Sequence, residues 1–288
     1  MLMQEDHNMM TKHYKVAGHT FAVSGQAVFF ELMGNYEPFE CEGGEPLFSL
    51  TIECGVVPEY TEVYPLKKRA GIIYGRTASG NEVFNFVVST EQEGCLICSK
   101  HYREGRIIMA GDISTHIFGR LLIKMYALAT AGNDTLVLHA VVVSCEGNGY
   151  IFLGPCGMGK STHARLWLKH IGGTELVNDD NPVVRGGVVY GSPWGGLKTP
   201  CHRNVSFPIG GIVRLSQAPV NKIRRLNGIE AYVELAESVG GKVWDSRISE
   251  DLHQTMNRLA STIPMWHLEC LPDEAAARLC HDTITNNK

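Results

Sequence analysis

The stretch from Tyr150 to Leu168, YIFLGPCGMGKSTHARLWL, constrains this chain most. An apolar run from Tyr150 to Leu153 enters Gly154-Pro155-Cys156-Gly157-Met158-Gly159-Lys160-Ser161, after which Ala164, Trp167, Leu168 and Ile171 recur at helical spacing. The pattern G-x-x-x-x-G-K-[ST] between a strand and a helix is that of a phosphate-binding loop. Gly154, Gly157 and Gly159 permit backbone angles and close approaches that a Cβ would obstruct. Amides of the turn and of the helix start then face phosphate oxygens, aided by the positive end of the helix dipole. Lys160 supplies a mobile cation for the β- and γ-phosphates, and Ser161 a hydroxyl for Mg²⁺. Nucleotide binding is therefore expected at Gly154, Pro155, Cys156, Gly157, Met158, Gly159, Lys160, Ser161 and Thr162. Such a loop serves ATPases, small-molecule kinases, protein kinases and nucleotide-sensing switches alike, so its surroundings must decide the chemistry.

Composition removes several alternatives. A net charge of −4 on 288 residues gives no general polyanion-binding surface, so nucleic acid is not an expected partner. No apolar stretch approaches the roughly 20 residues that span a bilayer, and the start, Met1-Leu-Met-Gln-Glu-Asp-His7, is too polar for a signal peptide. Nine cysteines without a small-scaffold rhythm favour reduced thiols and a cytoplasmic location. The pair Cys95-Leu-Ile-Cys98 lacks a second half for a zinc tetrad and a thioredoxin-like setting, so it reads as buried thiols on a short strand.

The texture changes along the chain. From Tyr14 to about Ala110, segments such as YKVAGHTFAV, PLFSLTIEC, NEVFNFVVS and GRIIMAG read as strands between turns, with Ala27–Leu32 either a strand or a short helix. Residues 1–111 therefore read as a β-rich scaffold or substrate domain. After Gly111 a helix capped by Asp112 or Ser114 is expected through about Ala131. Strands follow at Thr135–Cys145, Gly149–Leu153, near Leu176, at Val188–Tyr190, Ile212–Leu215, Lys222–Leu226 and Met265–Cys270. Helices are expected at Gly228–Ser238, at Asp251–Ser261 and from Pro272, whose ring suits a first helical turn. The fold class is mixed α/β, with residues 112–288 as the nucleotide-binding domain.

About twenty residues beyond the loop lies ELVNDDNPVV. Its adjacent carboxylates, Asp179 and Asp180, can divide two tasks, one binding Mg²⁺ and the other taking a proton from an attacking hydroxyl. The plain alternative is a turn of Asp-Asp-Asn-Pro type. Upstream, LVLHAVVVS places His139 within an apolar run, where a core histidine is the ordinary reading.

A His-bearing strand, a hairpin, a glycine loop ending in Lys-Ser and an Asp-Asp pair, in this order, resemble the C-terminal domain of HPr kinase/phosphorylase and the wider PEP-carboxykinase-like kinases. The resemblance covers residues 112–270 and is most specific over 139–180. It implies a PEP-carboxykinase-like core, ATP as phosphoryl donor, Mg²⁺ held by Ser161 and Asp180, Asp179 as general base, and His139 as a neighbour that orients the reaction. It also implies self-association into a homo-oligomer. Ala140 stands where bacterial HPr kinases have Gly, and the segment that supports HPr docking and the phosphorylase reaction is absent. The stretch YGSPWGGLKTPCHRNVSFPIGGIVRL is closer to the HPr-kinase-like proteins found beside peptide-modification systems.

Within that stretch, Trp194, Lys198, His202 and Arg203 offer stacking and cationic groups on a glycine-rich loop, suited to closing on the γ-phosphate or holding the acceptor. A solvated surface turn is the alternative. Arg203 and Lys198 rank above His202, because fixed cations suit transition-state charge better than a neutral imidazole. Two functions follow. One is an ATP-dependent kinase transferring the γ-phosphate to a hydroxyl, Ser first, of a peptide, protein or small molecule. The other is an ATP-binding regulatory or chaperone-like module of a modification system, which needs no general base.

Overall fold

The computed structural model describes residues 9–64, 70–88, 91–110, 114–196, 201–239 and 245–286. They form two compact units, 1–129 and 130–288, with mixed α and β content as expected.

The first unit is built on one nine-stranded mixed sheet. Its strands are β1 (Met9–Val16), β2 (His19–Gln26), β3 (Glu40–Cys41), β4 (Phe48–Cys54), β5 (Thr61–Tyr64), β6 (Ala70–Arg76), β7 (Glu82–Val88), β8 (Glu91–Cys98) and β9 (Glu104–Met109), in the order β3-β1-β2-β4-β9-β8-β7-β6-β5. Ala27–Glu31 forms a short helix, α1, which settles the ambiguity of that segment. Helix α2 (Thr115–Thr130) packs on the sheet, although the sequence places it in the second half. The Tyr126 hydroxyl donates to the Val16 carbonyl at 3.0 Å, and its ring meets Phe21 and Phe48 edge-on. Ser114 precedes the helix and accepts from the Ile117 amide through Oγ at 3.5 Å; Asp112 lies outside the described residues. Cys95 and Cys98 are buried strand thiols, and burial pushes the Cys95 thiol up to about 11.

The second unit carries β10 (Thr135–Val137), β11 (Ala140–Cys145), β12 (Asn148–Leu153), α3 (Lys160–His170), β13 (Glu175–Asn178), β14 (Val183–Arg185), β15 (Val188–Tyr190) and β16 (Ser206–Gln217). Then come β17 (Lys222–Arg225), α4 (Gly228–Ser238), α5 (Ser246–Thr262), β18 (Met265–Cys270) and α6 (Glu274–Asn286). The sheet order is β10-β14-β15-β16-β12-β11-β13, with β18 joining β16 to β17. Strands β11 and β12 read as unbroken apolar runs because both faces are covered. Val142, Ile151 and Leu153 pack with Leu235 of α4 and Leu259 of α5. Val143, Tyr150 and Phe152 pack with Trp167 of α3 and Ile284 of α6. Trp167, fully buried there, is a side chain whose truncation to Ala typically costs about 3–5 kcal/mol.

The loop–helix unit is positioned by a tight hairpin and a parallel neighbour. Glu146 and Gly147 both adopt positive φ, +49° and +76°, as the two-residue turn between β11 and β12 requires. Strand β16 is longer than its apolar core Ile212–Leu215 because it serves two partners. Its first residues pair antiparallel with β15, and its later ones run parallel to β12 and β18.

Three expected boundaries move. Thr135–Cys145 is two strands, because the backbone at Leu138 and His139 leaves the ladder: Leu138 donates to the Pro182 carbonyl at 3.1 Å and His139 to that of Ser238 at 2.7 Å. Helix α5 starts earlier than Asp251, capped by Asp245, which accepts from the Arg247 amide. Helix α6 starts after Pro272, because Asp273 takes the capping position and accepts from the Ala276 amide at 2.8 Å. Among the described residues no helix is long and apolar enough to cross a membrane.

Candidate functional site

The glycine loop leaves β12 and turns into α3 as its sequence requires. Gly154, Gly157 and Gly159 have φ of +149°, +80° and +101°, angles that residues with a Cβ rarely adopt. A Cβ at Gly157 or Gly159 would meet nothing within 4 Å, so the loop's outer surface is open to a ligand. Pro155, Cys156, Gly157 and Ser161 are exposed, while Met158, Gly159 and Thr162 are half-buried. Lys160 is buried, and its Nζ donates to the Gly154 carbonyl at 2.7 Å and lies 3.3 Å from that of Pro155. Burial holds its pKa below the ordinary lysine value, against the pull of the Cys156 thiol and the Asp180 carboxylate.

His139 links this loop to the Asp pair. Its Nε2 lies 3.0 Å from Lys160 Nζ and its Nδ1 lies 3.0 Å from Asp180 Oδ1. An ammonium only donates, so Nε2 accepts and Nδ1 carries the proton shared with Asp180. The side chain is 45% exposed, which excludes the core-histidine reading. The break between β10 and β11 produces this placement, because it frees His139 from the alternation of a continuous strand.

The two carboxylates diverge. Asp180 turns to His139, and its Oδ2 also accepts from Asn181 Nδ2 at 2.8 Å. The Asp180 amide donates to Asn178 Oδ1 at 3.0 Å, closing a local turn that sets the direction of the pair. Asp179 turns to the 191–203 loop, where its Oδ1 accepts from the amides of Gly196 at 2.9 Å and Cys201 at 3.2 Å. Burial raises the Asp179 pKa above the ordinary carboxylate value, opposed by those two bonds. A Cβ on Gly196 would stand 2.8 Å from Asp179 Oδ2, so a side chain there would have to displace the carboxylate.

The loop's cations are distributed differently from their sequence ranking. Arg203 Nη1 donates to the Leu176 carbonyl at 2.7 Å and Nη2 to Glu175 Oε2 at 2.7 Å. Its guanidinium is thereby tied to the first two residues of β13, three to four residues or roughly 10–13 Å of extended chain before Asp179. It is not joined to the His139–Lys160–Asp180 group. His202, ranked lowest, sits at the Asp179 end: the Cβ position of Gly195 is 2.9 Å from His202 Nε2 and 3.0 Å from Asp179 Oδ1. Burial lowers the His202 pKa, while Asp179 pulls it up. Trp194 is buried, and Lys198 lies outside the described residues.

The sequence reading missed Arg214. Strand β16 runs parallel to β12 with Arg214 opposite Leu153, the residue before the glycine loop. Arg214 Nη1 lies 3.2 Å from the Cβ position of Gly154, and the guanidinium pairs with Glu234 of α4. The available signal was a lone arginine inside the apolar run Gly-Ile-Val-Arg-Leu.

No protein-family model matches the chain, and no curated protein is a significant match to it. The functional reading therefore rests on the residues and their geometry.

Proposed function

We propose that the chain is an ATP- and Mg²⁺-dependent kinase that transfers the γ-phosphate to a hydroxyl, serine first, of a peptide, protein or small molecule. The observation that carries this reading is the bridge Asp180–His139–Lys160, which joins the phosphate loop to one carboxylate of the acidic pair about twenty residues on. The HPr-kinase-like order of these motifs supports the same reading.

The residues fit the groups that the reading needs. The open glycine loop and Lys160 suit the phosphate chain, while the Ser161 hydroxyl and an Asp180 oxygen are hard donors of the kind Mg²⁺ prefers. Bound there, ATP supplies the phosphoryl group and Mg²⁺ offsets its negative charge. Lys160 binds the phosphates, and His139 orients both Lys160 and Asp180. Asp179 accepts the proton of the attacking hydroxyl through Oδ2, because Oδ1 is held by two amides. Arg214 adds fixed positive charge beside the loop. Phosphoryl transfer depends on such positioning and charge neutralisation rather than on covalent chemistry by the protein.

A second reading, an ATP-binding regulatory or chaperone-like module, is favoured by one observation. Asp179 Oδ1 is engaged by the 191–203 backbone as a structural cap would be. Asp179→Asn separates the two: the kinase loses transfer while keeping ATP binding, whereas the module shows no transfer in either form.

A further inference from the structure

The 191–203 loop brings a second titratable side chain to Asp179. His202 follows Cys201, whose amide holds Asp179 Oδ1 at 3.2 Å, so one backbone bond fixes both the carboxylate and the start of the histidine. The Cβ position of Gly195 is 2.9 Å from His202 Nε2 and 3.0 Å from Asp179 Oδ1. Imidazole and carboxylate therefore stand within about 6 Å of each other, the span that one oxygen bridges with two ordinary hydrogen bonds. Glycine at 195 leaves this gap without a side chain.

His202 plays no part in the phosphate and metal positions described above. Neither of its ring nitrogens has a hydrogen-bond partner among the described residues. The ring is half-buried, and burial lowers its pKa, which keeps it neutral at pH 7. A neutral imidazole offers an N–H, whereas an ionised carboxylate only accepts. A hydroxyl matches the two together, since it donates once and has two lone pairs. Arg203 is not placed to compete, because its guanidinium is held by Glu175 and the Leu176 carbonyl.

We infer that His202 binds the acceptor, whose hydroxyl sits between the Asp179 carboxylate and the imidazole, donating to the first and accepting from the second. One lone pair of its oxygen is then engaged by the imidazole N–H, and the other is aimed at the γ-phosphorus. As transfer proceeds, the hydroxyl proton passes to Asp179, the oxygen–phosphorus bond forms and ADP leaves with the electrons of the bond it loses. His202 keeps its proton throughout and acts by fixing the direction of attack. The inference rests on the kinase reading and adds to it the group that seats the nucleophile.

The test follows transfer from Mg²⁺-ATP to free serine and to a capped Gly-Ser-Gly peptide, with ATP affinity measured separately by calorimetry. Two variants of the full chain disturb the seat from different residues. His202→Phe keeps an aromatic ring and removes both nitrogens, and Gly195→Ala puts a methyl group 2.9 Å from Nε2 and 3.0 Å from Oδ1. Each should raise the acceptor KM at least about tenfold, as loss of a hydrogen bond made to the acceptor would, and leave ATP affinity unchanged. His202→Gln, which retains a side-chain N–H, should recover much of the loss. An unchanged acceptor KM, a parallel loss of ATP affinity, or a glutamine variant as poor as the phenylalanine one overturns the role of His202 and leaves the kinase reading standing. If His202→Phe fails to fold, Gly195→Ala and His202→Gln decide. A wild type that binds ATP and phosphorylates neither probe overturns the kinase reading, and this inference with it.

Discussion

His139 and Asp180 are held 3.0 Å apart through Nδ1 and Oδ1, and the far side of the same imidazole meets Lys160. The ring thus sets the carboxylate and the ammonium at a fixed spacing across its own width. Neither partner depends on it alone. Lys160 also bonds the Gly154 carbonyl, and Asp180 the Asn181 amide. Under the proposed kinase reading its role is positioning rather than support of the fold.

Replacing His139 by Ala should lower transfer by about 10–100-fold, the range found when an orienting partner of a catalytic group is lost. Thermal stability should change little, since the side chain is half-exposed. His139→Gln, which can still donate and accept, should recover part of the rate. Steady-state kinetics beside melting curves checks both statements; a large loss of stability without a kinetic effect would contradict the positioning role.

Gly196→Ala places a methyl group 2.8 Å from Asp179 Oδ2 and must displace the carboxylate or the loop. Transfer should fall by about a hundredfold or more, the contribution of a general base, while ATP affinity is retained. Transfer should also fail on the acid side at a pH above the ordinary carboxylate value of 3.8. A base works deprotonated, and burial raises the pKa of this one. A pH–rate profile of the wild type reads that limb.

The two arginines should behave differently. Arg203 sits in a partly exposed pair with Glu175, so Arg203→Ala should leave the transfer rate within about twofold. Arg214→Met, which removes a largely buried cation beside Gly154, should cost about a hundredfold. Parallel rate measurements decide, and the reverse ranking would restore Arg203 as the transition-state cation.

His163 predicts an acid weakness of the fold. Its pKa falls from 6.5 in the unfolded chain to about 4 in the buried site, so the unfolded state binds the proton first. Stability is then lost as pH drops from 6.5, and the loss is complete below about 4, at roughly 3 kcal/mol. Denaturant titrations across this range should show the acid slope in the wild type and a flatter one in His163→Leu.

The loop and most of its supporting elements were legible because their signals are local. Glycines at fixed spacing, a Lys-Ser step and unbroken apolar strands each speak for their own segment. The Asp pair was legible as two adjacent carboxylates, although the divergence of Asp179 from Asp180 was not, since the turn at Asn178 is set by tertiary bonds to Ser192. The break at His139 was hidden for a like reason: Pro182 and Ser238, more than forty residues downstream, take its backbone bonds. Arg214 was missed because its position depends on which strand runs parallel to β12, and one sequence does not state that pairing. Arg203 was ranked by charge alone, and charge does not reveal that Glu175 already holds it.

The most direct measurement follows label from γ-labelled Mg²⁺-ATP onto free serine and serine-containing peptides, with the wild type and Asp179→Asn side by side, products being identified by mass spectrometry. The account predicts a phosphorylated hydroxyl with the wild type and none with Asp179→Asn, both proteins binding ATP with similar affinity. Equal transfer by the variant, or no product from a wild type that binds ATP, would contradict it.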